Sequence, residues 1–281
     1  MARLTAFARR FLPLLSLVLG VSTVSRAQQS SQVVQHWSLD NLRAGWCVSF
    51  LIDPAMANDD LPRGFRARAA STFPGLSPAL STLIRNEPNY ATWIPSQFCA
   101  GHFDQVKIGE TVLGDARPAL NDTQYLGMWL IAGAPIAPAP DSATQTFFLA
   151  TLRTSNWRLI RLAETALIPA EYAEPFAGKV PESIEDRYRV KMGGTSLTWD
   201  GHRAGDSAWT APGIQQKWWA VNTRGARIMA DVRMQPDSAQ NVAGTLQFTG
   251  KDDLSKSLRA SPIRMVGPLM WGGSGSIEFT R

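Results

Sequence analysis

The stretch Gln215–Met234, QQKWWAVNTRGARIMADVRM, decides the fold class. In its second half Ile228, Ala230, Val232 and Met234 take one side of an extended chain, and Arg227, Asp231 and Arg233 take the other. Side chains of a strand alternate between faces, so this is a strand with one wet side. QQKWWAVN supplies its partner, with a hairpin turn at Thr223, Arg224 and Gly225. The pattern recurs in DRYRVKM, where Tyr188, Val190 and Met192 oppose Arg187, Arg189 and Lys191. Gly193-Gly194 then turns the chain back into TSLTWD.

Further strands extend outward from these hairpins. One covers Trp46 to Asp53, another lies in FRARAAS, and YATWIP and FDQVKIG read as two short ones. QYLGMWLIAG, Gln124 to Gly133, is apolar on both faces and reads as a central, buried strand. TQTFFLATLR and WRLIRLAE read as a hairpin around Thr154, Ser155 and Asn156, and GTLQFTG and GSIEFTR close the chain. QHWSLDNLRAG, from Gln35, reads as a short helix or an extended lead-in. Helices are expected in LSPALSTLIRNEP, capped by Ser77 with Pro78 at its first position, and in DDLSKSLRASP.

The expected fold is mainly β, with antiparallel sheets in a sandwich-like pair of packed lobes and two or three short helices. Pro169, Pro175 and Pro181 make residues 165–185 a linker or crossover. On that division 28–164 is an N-terminal β-rich lobe and 186–281 a C-terminal antiparallel lobe. One large sandwich is the alternative. An outer-membrane barrel fits less well, because the strands are short and the last residues are Thr280-Arg281 rather than an aromatic.

Residues 1–27 read as a secretory signal peptide. Arg3, Arg9 and Arg10 precede the apolar run Phe11–Val21, and Ser25 and Ala27 suit a cut before Gln28. The run is too short to cross a bilayer, which takes roughly 20 apolar residues. The expected location is therefore periplasmic or extracellular, with no transmembrane helix after signal cleavage. The net charge of +5 owes four arginines to this segment, and no Lys/Arg block remains to mark a nucleic-acid surface.

An exported chain meets an oxidising compartment, and Cys47 and Cys99 are the only two cysteines. A disulfide between them is expected. It outranks a Cys99–His102 catalytic pair and a zinc site, since there is no C-x-x-C and His36 and His202 are far away in sequence.

Local motifs for metalloproteases, nucleotide phosphates, dinucleotides, calcium hands and serine nucleophile elbows are absent. The densest polar cluster is WDGHRAGDSAW, where Asp200, His202, Asp206 and Ser207 combine two carboxylates, an imidazole and a hydroxyl. Those groups suit acid–base or nucleophilic chemistry, though Asp200-Gly201 also reads as a plain turn. Trp218 and Trp219 are adjacent in a strand and so point to opposite faces. One of them is a candidate binding platform. Trp271–Ser276, WGGSGS, reads as a flexible turn, and Asp53, Asp59 and Asp60 as a polar loop.

No cofactor and no metal is expected. The reading is an exported, non-catalytic binding or cell-envelope-associated protein, with a carbohydrate, a small apolar ligand or an envelope protein as its partner. The alternative is a secreted hydrolase with a scattered acidic and histidine site.

Overall fold

The structure is a computed structural model. It describes residues 32–113, 124–154, 156–172, 177–178, 187–192, 195–204, 208–262 and 264–281. In the strands within 177–203 it describes the backbone only. The expected signal peptide lies outside the described residues, as do Asp206 and Ser207.

The protein is mainly β, as the alternating patterns require. Seven strands form a ring: β1 (Val33–Ile52), β2 (Ile94–Ile108), β3 (Gln124–Pro135), β4 (Thr146–Thr154), β5 (Ile214–Val221), β6 (Arg227–Gln235) and β7 (Ser274–Thr280). Around it the order is β1-β7-β6-β5-β4-β3-β2, and β2 pairs back onto β1. All of these pairings are antiparallel except β4 with β5. Closure makes a barrel and leaves these strands no free edge within the ring.

Strands from both sides of residues 165–185 share this ring, so the expected linker does not divide the hydrogen bonding. Of the expected C-terminal lobe, only 187–203 and 242–250 enter the separate four-stranded sheet, with Ala177–Gly178 at its edge. Val242 and Leu246 of that sheet pack against the same apolar core as Trp46. The arrangement is thus a closed ring with a small second sheet, rather than two facing lobes.

β1 has 20 residues, roughly 66 Å of extended chain, and cannot stay straight in a small barrel. It bends where Asn41 takes a φ of 49° and the ladder to β2 shifts between Leu42 and Ala44. Below the bend it pairs with β7, and above it with Arg264–Val266 and Met270. The lead-in from Gln35 is therefore strand, not helix. YATWIP and FDQVKIG likewise do not flank a loop. The residues between them, SQFCAGHF, belong to the 15-residue β2, buried on both faces.

Among the described residues four α-helices lie outside the ring: α1 (Pro54–Asp60), α2 (Pro78–Asn86), α3 (Trp157–Thr165) and α4 (Asp253–Ala260). α2 starts as expected, with Ser77 accepting from the Leu80 amide and Pro78 in the first turn. α3 replaces the second strand of the expected 154–156 hairpin. Asn156 is its cap, accepting from the amides of Arg158 and Leu159, and Leu159 and Ala163 form its buried face. No described helix is long and apolar enough to cross a membrane.

Candidate functional site

The barrel holds an open-mouthed cavity of about 590 Å³. Its wall follows from alternation along the ring. On β2, Gln97, Cys99, Gly101 and Phe103 face inward, while Phe98 and His102 face out to other buried groups. On β5, Ile214, Gln216 and Trp218 face inward, and Trp219 does not line the cavity.

The directions of the strands order this wall by depth. β1 rises while β2, β5 and β7 descend, so one end collects Ser49, Gln97, Gln145 and Gln216. Toward the other end the wall is Leu39, Phe103, Leu126 and Ile277. Trp37, on the Leu39 face and fully buried, meets Phe279 at a ring separation of 5.2 Å and fills the floor. Gly45 and Gly101 are register partners in the wall. A Cβ on Gly101 would lie 2.8 Å from Cε2 of Phe103, so glycine lets that ring lie against the strand and keeps the lumen open.

The polar end is a connected array. Trp218 Nε1, which can only donate, gives its proton to Gln216 Oε1 at 2.9 Å. Gln216 Nε2 therefore faces Gln97 Oε1 and Gln145 Oε1, each at 3.4 Å. Gln145 Nε2 is held by the Gly75 carbonyl, 3.2 Å away, and a Cβ on Gly75 would come within 2.1 Å of that nitrogen. No lysine, arginine, histidine or carboxylate is among the described residues lining the lumen.

Cys47 and Cys99 are paired as expected. They are direct cross-strand partners between β1 and β2, with Cα atoms 4.1 Å apart and sulfurs bonded, and they form part of the lumen wall. Trp218 is also in the wall but is 5% exposed, so it is no surface platform. Asp200 and His202 lie on a paired strand, opposite Thr245 and Ala243, rather than in the expected loop; their side chains are outside the described residues. Asp206 and Ser207 lie outside them altogether.

His102 is buried beneath the outer face of β2, stacked on Tyr125 with ring centroids 4.3 Å apart. Neither ring nitrogen has a hydrogen-bond partner. Burial and the nearby Arg43 guanidinium push its pKa down to about 4, against an opposing pull from Asp104. Asp104 is itself engaged by Asn41 and Arg43. A neutral imidazole with no carboxylate in hydrogen-bond contact has the environment of a core residue, not of a general base.

No family model matches the sequence, and no curated protein matches it. Solved structures do align along most of the chain. It is similar to the enduracididine biosynthesis enzyme MppR complexed with pyruvate, at 12% identity and a TM-score of 0.46, with 92% of each chain covered. It is similar to the acetoacetate decarboxylase from Legionella pneumophila subsp. pneumophila str. Philadelphia 1, at 10% identity and a TM-score of 0.48, over 87% of this chain and 86% of that one. An acetoacetate decarboxylase-like enzyme from Sphingomonas wittichii RW1 aligns at 14% identity and a TM-score of 0.39, over 88% and 90% of the two chains.

These neighbours are named as enzymes. Those names run against the expectation of a non-catalytic binding or envelope-associated protein, and none of them names a hydrolase. At 10–14% identity and TM-scores below 0.5, they assign neither a reaction nor a substrate to this chain.

Proposed function

We propose that the barrel lumen is the functional site and that it takes one neutral, largely apolar small organic molecule. The observation that carries this is the lining: a cavity of about 590 Å³, open at one side, with no ionisable side chain among its described residues. An ion placed there would lose hydration with no counter-charge to offset the loss, whereas apolar surface gains about 25 cal/mol per Å² buried. The apolar part of the molecule lies toward Leu39, Phe103 and Ile277, and its polar end toward the glutamines. Trp218, a candidate binding residue from its sequence, lies between the two. Of the expected partners, the small apolar ligand is the one this lining suits. An occupied lumen implies neither a non-catalytic nor an envelope-associated role.

Export into an oxidising compartment belongs to the same proposal. The N-terminal pattern and the cysteine pair support it, and N-terminal sequencing of the protein from its native host tests it.

The lumen reading is tested with two related fluorophores. N-phenyl-1-naphthylamine is neutral, and 8-anilinonaphthalene-1-sulfonate carries a fixed negative charge on a similar skeleton. The neutral probe is expected to bind at least tenfold tighter, and Val232→Trp, which fills the lumen, to abolish its binding. Equal binding of the sulfonate, or no effect of Val232→Trp, refutes the reading.

A further inference from the structure

Within the lumen, the glutamine array carries a finer specificity, which rests on the lumen being the occupied site. Its polarity is set at both ends by groups with a single hydrogen-bonding role. The Trp218 indole can only donate, and the Gly75 carbonyl can only accept. Between them Gln216 has its oxygen committed to Trp218 and its amide nitrogen shared between two glutamine oxygens. Both shared contacts, at 3.4 Å, are longer than the 2.9–3.0 Å of a well-made N–H···O bond.

The array is thus joined but slack. Gln97 Nε2 has no partner among the described residues, and the oxygens of Gln97 and Gln145 each keep an unused lone pair. The wall therefore offers one donor beside two acceptors, all neutral, at the polar end of an apolar chamber.

We propose that this array is a head-group site for a neutral carboxamide. The carbonyl of the carboxamide accepts from Gln97 Nε2, and its NH2 donates to the oxygens of Gln97 and Gln145. A ketone of the same shape satisfies only the donor. A hydrocarbon of that shape satisfies none of the three groups, and a carboxylate brings a charge with no counter-ion. Gln97, Gln145 and Gln216 are then the residues that set specificity. Trp218 and Gly75 act through them as positioning groups.

The test uses four molecules with one aromatic body: naphthalene-2-carboxamide, 2-acetylnaphthalene, 2-isopropenylnaphthalene and 2-naphthoate. Binding of each is read by quenching of tryptophan fluorescence and by calorimetry. The carboxamide is expected to bind about thirtyfold tighter than the ketone, the loss of two neutral hydrogen bonds. The naphthoate is expected to bind weakest. In Gln97→Leu, which leaves only the Gln145 oxygen, the preference of carboxamide over ketone should fall severalfold, and in Gln97→Leu combined with Gln145→Leu to within about twofold. The isopropenyl compound should bind these variants at least as tightly as the wild type, since fewer wall groups are left unpaired, which also shows that they fold. Equal affinity for carboxamide and ketone in the wild-type protein overturns the carboxamide site and leaves the lumen reading intact. Failure of all four to bind overturns both.

Discussion

His102 makes the acid stability of this protein a single-residue measurement. In the folded protein its imidazole titrates at about 4, because it is buried and faces Arg43; unfolded, it titrates near 6.5. The folded value is the lower one. The stability it supports is therefore fully present above pH 6.5 and is lost as pH falls toward 4, because the unfolded chain takes up the proton first. Between pH 7.5 and pH 4.5 that loss comes to about 2.5 kcal/mol, at about 1.4 kcal/mol per tenfold difference in proton binding. For a domain of this size it lowers the melting temperature by roughly 5–10 °C.

His102→Phe keeps a flat ring against Tyr125 and removes both unpartnered nitrogens. Urea unfolding of the two proteins at pH 7.5 and 4.5 gives four stabilities. The variant is expected to be at least as stable as wild type at pH 7.5 and to lose about 2.5 kcal/mol less on acidification. Every other titrating group is common to both proteins, so the difference isolates this one. If both lose the same stability within about 0.5 kcal/mol, the imidazole is not held neutral by the fold and the account of it is wrong.

The cysteine pair closes a loop across a sequence separation of 52, so Cys47→Ala with Cys99→Ala should cost about 4 kcal/mol in guanidinium unfolding; a loss under about 1 kcal/mol contradicts the chain-entropy account. Asn156→Ala removes both the cap of α3 and the donor to Gln124 Oε1 and should cost about 2 kcal/mol, while Asn156→Ser, which keeps a capping oxygen, should cost less. Arg68 donates to the carbonyls of Thr72, Ser142 and Thr144 and to the Thr146 hydroxyl. Arg68→Met should cost about 2 kcal/mol and raise proteolytic cleavage within 141–146, and unchanged cleavage there would count against its role as a clamp. Gly75→Ala should displace Gln145 and weaken probe binding, beside a stability cost of about 1 kcal/mol for alanine at a φ of 69°; unchanged probe binding would assign Gly75 to folding alone.

The features legible in the sequence were the ones written locally. β6 alternates residue by residue, α2 carries its own cap, and two cysteines allow only one internal pairing. α3 is hidden in the sequence because Thr154-Ser155-Asn156 resembles a turn. Asn156 is a helix cap instead, and Leu159, Leu162, Ala163 and Ala166 have the i, i+3, i+4, i+7 spacing that says so. β2 was read as two strands because burial on both faces erases its alternation. Closure had no local signal, since Trp37 meets Ile277 across almost the whole chain. The lumen had one trace: Gln216 shares a strand face with Ile214 and Trp218, a polar residue on an apolar stripe. Gln97 and Gln145 reach it only through the ring, and no spacing between the three encodes that.

The ring also imposes an order in time. β1 finds β2 within about 60 residues of chain, and Cys47 can bond to Cys99 at that point. Its other edge belongs to β7, the last strand of all. During synthesis the β1–β2 ladder must therefore wait, half covered, while the rest of the barrel is made. An unpaired edge of that length invites pairing with other chains, and contacts this distant form slowly. No complete lumen exists until the final seven-residue strand docks. What makes this protein a container is thus a meeting of strands about 240 residues apart in the chain.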